Sequence, residues 1–148
     1  MIHGIDNRYF IRKDDTIYLI TNRHVVDPEY NDIKYRGYSV IDFNIESYQS
    51  IDDTGLPNCL SNASLVNWNE FKFHSNESND VACLKKPKGH TPLTIETYID
   101  YNMLATSEWI NQNLVVCDTI AYPGFPEWYD RQNSTPIFRM GTISSDPV

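Results

Sequence analysis

Cys-x-x-Cys pairs are missing from this sequence of 148 residues, and no set of cysteines and histidines has zinc-finger spacing. That excludes the usual structural zinc motifs. The three cysteines, Cys59, Cys83 and Cys117, are odd in number and widely spaced, and they read as reduced, partly buried thiols of a cytoplasmic protein. No run of 18 apolar residues occurs, so no membrane span is expected. Met1-Ile2-His3-Gly4-Ile5-Asp6 has neither a basic start nor an apolar stretch, and no signal peptide is expected. Basic residues are scarce: 12 Lys and Arg against 20 Asp and Glu leave a net charge of −8. Neutralising phosphates needs clustered cations, so a general nucleic-acid binder is not expected. There is no glycine-rich phosphate loop, and the acid pairs Asp14-Asp15 and Asp52-Asp53 fit no EF-hand pattern. His74 and His90 share no helix face with another ligand, so neither a metal nor a cofactor is expected. Internal repeats, low-complexity tracts and long amphipathic helices are absent as well.

Large rings, by contrast, are plentiful. Aromatic residues make up 13% of the chain and 10 of them are tyrosines, enough to fill a small barrel or sandwich. Strand signals dominate. Tyr9 to Thr21, with Lys13-Asp14-Asp15 at its turn, predicts a hairpin. Lys34 to Ile41 predicts a strand with Gly37 as a possible bulge, while the polar, turn-rich stretch from Asn44 to Asn62 predicts a long irregular loop. Ser64–Trp68 and Glu70–His74 are short strand candidates, and Val81-Ala82-Cys83-Leu84 suits a brief buried strand. Lys85 to Pro92 is a loop, and Ile99 to Asn113 has room for one or two helical turns. Leu114 to Tyr122, ended by Pro123-Gly124-Phe125-Pro126, and Pro136 to Ser144 predict the last two strands. Many short strands separated by turn signals indicate an all-β sandwich or barrel.

Two segments carry chemistry. Thr21-Asn22-Arg23-His24-Val25-Val26 sets a histidine at the turn that follows a strong strand. Alone, that is also the pattern of a surface or core histidine. Asn79-Asp80-Val81-Ala82-Cys83-Leu84-Lys85 sets one acid directly before a buried strand. Such a carboxylate can be a turn residue bonding nearby backbone N–H groups. It can also serve an imidazole that acts as a base, by holding one ring N–H, selecting the tautomer and stabilising the imidazolium that forms. Tyr122, Trp128 and Tyr129 cluster near two prolines, as a packed aromatic corner or as the wall of a peptide groove.

Together the two segments resemble the trypsin-like serine peptidases. Residues 21–26 are similar to that family's Thr-Ala-Ala-His-Val/Cys-Val segment, and residues 79–85 to its Asp-Ile-Ala-Leu-Leu-Lys segment. Ala121-Tyr122-Pro123-Gly124-Phe125-Pro126 resembles the segment that opens the second barrel of bacterial members. Pro136-Ile137-Phe138-Arg139-Met140-Gly141-Thr142-Ile143-Ser144 resembles the strand after it. Val25 stands where secreted relatives carry a cysteine, which places the resemblance with the intracellular bacterial branch. The resemblance implies a chymotrypsin-like double β-barrel, with residues 1–106 as the first barrel and 107–148 as the opening strands of the second. It implies His24 as general base and Asp80 as the acid that orients it, acting on a peptide or protein substrate.

Two departures qualify this likeness. Asn7-Arg8-Tyr9-Phe10 stands where the family has Gly-Ser/Thr-Gly-Phe. The family's nucleophile lies in a Gly-Asp/Asn-Ser-Gly-Gly segment, and these residues contain none. Ser144 and Ser145 sit in the strand that precedes it, so the expectation is a chain that stops before the nucleophile and has little activity of its own. Cys59, Cys83 and Cys117 lack the Gly-x-Cys-Gly context of a cysteine nucleophile and read as small apolar fillers. A non-catalytic peptide- or protein-binding module of the same fold, and a chance match on an unrelated acidic β-domain, are the alternatives. Unpaired edges at Leu114–Ala121 and Pro136–Ser144 would favour a homodimer.

Overall fold

The Tyr9–Thr21 segment folds as the hairpin its pattern demands. In the computed structural model, which describes residues 8–30, 37–51, 53, 57–91, 93, 95, 98–124 and 137–144, β1 (Arg8–Lys13) pairs antiparallel with β2 (Thr16–Thr21). The two-residue turn between them places Asp14 at φ 52°, a left-handed conformation that a short polar side chain tolerates better than most. Strands dominate the described residues and the helices are short.

Two compact units divide the chain, Arg8–Tyr101 and residues 102–148 with 1–7. The first is built on an open five-stranded sheet. β5 (Lys72–Phe73) pairs with β6 (Ala82–Lys85), β6 with β2, β2 with β1, and β1 runs parallel to β7 (Ile99–Asp100). Alternation on β2 and β6 turns Leu19, Thr21, Ala82 and Leu84 to the inside, with Leu19 opposite Leu84 and Thr21 opposite Ala82. Leu19, Ala82 and Leu84 join Val26, Phe43, Ile45, Leu65 and Phe71 in one buried cluster, flanked by Phe10, Val25, Trp68 and Leu93. Phe43 and Phe71 meet edge to face at 5.5 Å.

A buried amide braces the loop behind β6. Asn67 accepts from the Lys88 backbone N–H at 2.9 Å and donates to the Lys86 carbonyl at 3.3 Å and to Glu70 at 3.2 Å, so its polar atoms are satisfied inside the protein. Gly89 faces Leu65 across an isolated bridge. A β-carbon there would lie 2.9 Å from the Thr91 carbonyl oxygen and 3.2 Å from Ala63, so only glycine fits.

Residues 44–62, predicted as an irregular loop, instead form most of an antiparallel ribbon, β3 (Asn44–Ile51) with β4 (Pro57–Ser64). At its base Phe43, Ile45, Ala63 and Leu65 are buried. The sequence from Asn44 to Asn62 is polar, and the backbone register that pairs β3 with β4 is not announced by such a pattern. The strand predicted over 34–41 is not formed in its described part. Gly37 turns at φ 86°, and Tyr38 and Ile41 are exposed. Residues 31–36 lie outside the described residues. Trp68–Glu70 is a 3₁₀ turn rather than the end of a strand.

The second unit contains α2 (Ser107–Asn113), capped by Thr106, whose Oγ1 accepts from the Trp109 N–H at 3.1 Å. Its strands β8 (Thr119–Gly124) and β9 (Ile137–Thr142) form a two-stranded antiparallel sheet. The predicted strand over 114–122 therefore begins later, because Val115 to Asp118 make a turn. There the Asp118 side chain accepts from the Val115 N–H at 2.9 Å, and Cys117 takes φ 78°. The strand also runs through Pro123 to Gly124 rather than stopping before them.

Candidate active site

Sheet register brings the two chemical segments together. β2 and β6 pair antiparallel with Thr21 opposite Ala82, so continuing the register lays residues 22–24 beside 79–81. Past Thr21 the chain makes one helical turn, α1 (Arg23–Val26). Val26 is buried and Val25 packs against the same cluster, so the turn is anchored by its apolar side and His24 is left exposed. Asp80 sits just before β6, whose Ala82 and Leu84 fix that strand in the core.

The carboxylate of Asp80 grips the histidine twice. Its Oδ2 lies 2.5 Å from His24 Nδ1, and its Oδ1 accepts from the His24 backbone N–H at 2.9 Å. Asn22 adds a third hold: its amide donates to Oδ2 at 3.1 Å and to the Asp80 carbonyl at 3.3 Å. Partial burial works against the charge on Asp80, but the His24 N–H, the imidazole and the Asn22 amide outweigh it and hold the carboxyl below its ordinary range. An ionised carboxylate only accepts, so the proton between the two groups belongs on Nδ1. That leaves Nε2 as the ring's basic nitrogen. The imidazole is about 45% exposed and its partner about 32%, so the pair lies at the surface of its unit.

Sequence reasoning named His24 and Asp80, and the structure joins them. It missed Asn22. In the segment that resembles Thr-Ala-Ala-His, Asn22 and Arg23 stand in place of two alanines, and that departure was the available signal. The other candidates stay apart from the pair. Asp14-Asp15 form the β1–β2 turn; Asp53 is exposed, and Asp52 lies outside the described residues. His74 Nδ1 accepts from the Asn76 N–H at 2.9 Å within its own loop. Cys83 sits in β6 next to the inward Ala82 and Leu84, and burial pushes its thiol pKa up, away from nucleophilic use. Cys117 and Tyr122 are exposed in the second unit, while Trp128, Tyr129 and the Cys59 side chain lie outside the described residues. Among the described residues no group of three His, Cys, Asp or Glu side chains could hold a metal ion, and no helix is long and apolar enough to cross a membrane. Comparison with protein-family models, with curated proteins and with solved structures finds no match to this chain.

Proposed function

We propose that this chain carries the base and the acid of a trypsin-like serine endopeptidase of chymotrypsin-type double-barrel fold, working in the cytoplasm on peptide or protein substrates. The observation that carries the reading is the double grip of one carboxylate on the ring and on the backbone of one histidine. A turn residue has no need to select an imidazole tautomer; a general base does. Four ordered segment likenesses along the chain support the same reading. In the reaction, Nε2 of His24 takes the proton of a serine hydroxyl as that oxygen attacks the peptide carbonyl, then returns it to the leaving amine. Asp80 keeps the ring oriented and stabilises its charged form. The serine is not among these residues, so the 148-residue chain alone should turn over little or nothing, because a triad acts as a unit.

The absence of a Gly-x-Ser-Gly segment favours one rival, a module that holds peptides without cutting them. The two part on one experiment, in which the full gene product containing this chain is treated with a serine-directed phosphonate and assayed on unfolded casein. Labelling at a serine, lost in His24→Ala, supports the peptidase. A folded product that binds casein but neither labels nor cleaves overturns it in favour of the binding module.

A further inference from the structure

His24 rides on a helix of four residues, and a single turn fixes many dihedrals for few hydrogen bonds. Its N-cap residue, Asn22, makes no side-chain bond to the helix and spends its amide on Asp80 instead. The direction of the imidazole therefore depends on tertiary contacts of the turn. The most developed of these belongs to Arg23. Its guanidinium lies 4.5 Å from the centre of the Tyr30 ring and 4.6 Å from that of Phe73, and its Nε donates to Asp27 Oδ2 at 2.9 Å. The side chain is only 18% exposed. Phe73 ends β5, and from it the chain runs through residues 74–79 to Asp80. The Tyr30 hydroxyl donates to the Glu77 carbonyl at 2.6 Å, within that same loop.

Resting on the reading of His24 and Asp80 as base and acid, we infer that Arg23 is a positioning residue for the pair. Held against the Tyr30 and Phe73 rings and tied to Asp27, it fastens the turn that bears the imidazole to the hairpin loop that bears the carboxylate. A planar guanidinium offers both faces to rings while its edge bonds a carboxylate; the ammonium of lysine cannot do all three. Loss of two such ring contacts raises the ratio of misaligned to aligned pair about tenfold.

The test uses the intact 148-residue chain and reads the His24 Nδ1 proton by NMR. In Arg23→Met, which keeps the stem and removes the guanidinium, that proton should exchange with water about tenfold faster, and the Asp80 carboxyl should titrate closer to 3.8. Arg23→Lys should not restore either reading. The amides of Leu19 and Leu84 in the core should keep their protection. If Arg23→Met does not fold, Phe73→Leu removes one ring, keeps the guanidinium and should show a smaller change of the same kind. An unchanged Nδ1 proton, or equal loss of protection at Leu19 and Leu84, overturns the inference, because Arg23 then acts on stability alone. A bound Nδ1 proton that responds to Arg23→Met in a gene product that never labels or cleaves ends the peptidase reading and leaves this inference standing. An active peptidase whose Nδ1 proton ignores the substitution does the reverse.

Discussion

The unit Arg8–Tyr101 and the unit that contains residues 102–148 use the same local device, an antiparallel hairpin, with different support. In the first, β2 and β6 press Leu19, Ala82 and Leu84 into a cluster in which these three residues expose no surface. In the second, none of residues 102–122 and 139–144 is buried, and Val115, Ile120, Tyr122 and Met140 are all exposed. Its order comes from the backbone ladder of β8 and β9, the Thr106 cap and the Asp118 turn. Burial fixes side-chain direction to a fraction of an ångström because interiors are close-packed. A ladder of backbone bonds fixes strands and leaves side chains free. The His24–Asp80 pair rides on the packed unit, where both segments adjoin residues of the core.

The contrast has a large measurable consequence. Leu84→Ala should cost about 2–5 kcal/mol, the range for emptying a fully buried aliphatic site. Ile120→Ala on exposed β8 should stay within about 0.5 kcal/mol. Urea unfolding curves of the two variants decide it. Equal losses would mean that Ile120 is packed in solution and that the two units are supported alike.

Next in size is Asn67. Replacing this buried amide by alanine leaves the Lys88 N–H and the Lys86 carbonyl without their side-chain partner and should cost about 1–3 kcal/mol. Hydrogen exchange at the Lys88 amide checks the mechanism, since that proton should lose protection before the amides of β2. If Asn67→Ala is neutral, the packed unit does not depend on this polar brace.

The same division explains what could be read from sequence. β2 and β6 were legible because a β-branched and aromatic run and a short apolar run suit strands, and the burial of Leu19, Thr21, Ala82 and Leu84 agrees with that. The β3–β4 ribbon was not, because Asn44 to Asn62 is polar and rich in turn residues, and the backbone groups that pair its strands belong to every residue. The described part of Lys34–Ile41 failed the other way: a good strand composition is overridden where Gly37 turns the chain and leaves Tyr38 and Ile41 exposed. For the site, residue type and position next to strands made His24 and Asp80 candidates, and the likeness of their two segments to the trypsin-like serine peptidases singled them out. Asn22 and Arg23 needed the register of β2 against β6 and the fold of the 74–79 loop, which pair residues more than forty positions apart. No local pattern encodes such partners.

The smallest expected effect is the dependence on acid. Asp80 titrates below 3.8 in the folded chain, because the N–H donors of His24 and Asn22 favour its charged form more than partial burial opposes it. A carboxyl with a depressed folded pKa stabilises the fold at pH values above its unfolded value, and that contribution fades as the pH falls through the folded one. Wild type should therefore exceed Asp80→Asn in stability at about pH 6, and the gap should begin to shrink below about pH 5 and go on shrinking as the pH passes through the folded value, below 3.8. Trp68 lies against the core of the packed unit and reports on that unit alone once Trp109 and Trp128 are replaced by phenylalanine. Denaturant midpoints followed by its fluorescence give the gap directly. A gap that persists unchanged at low pH would place the worth of Asp80 in its shape rather than its charge. The three hydrogen bonds would then have to be read as packing around a neutral acid, and the proton on Nδ1 would lose its electrostatic reason.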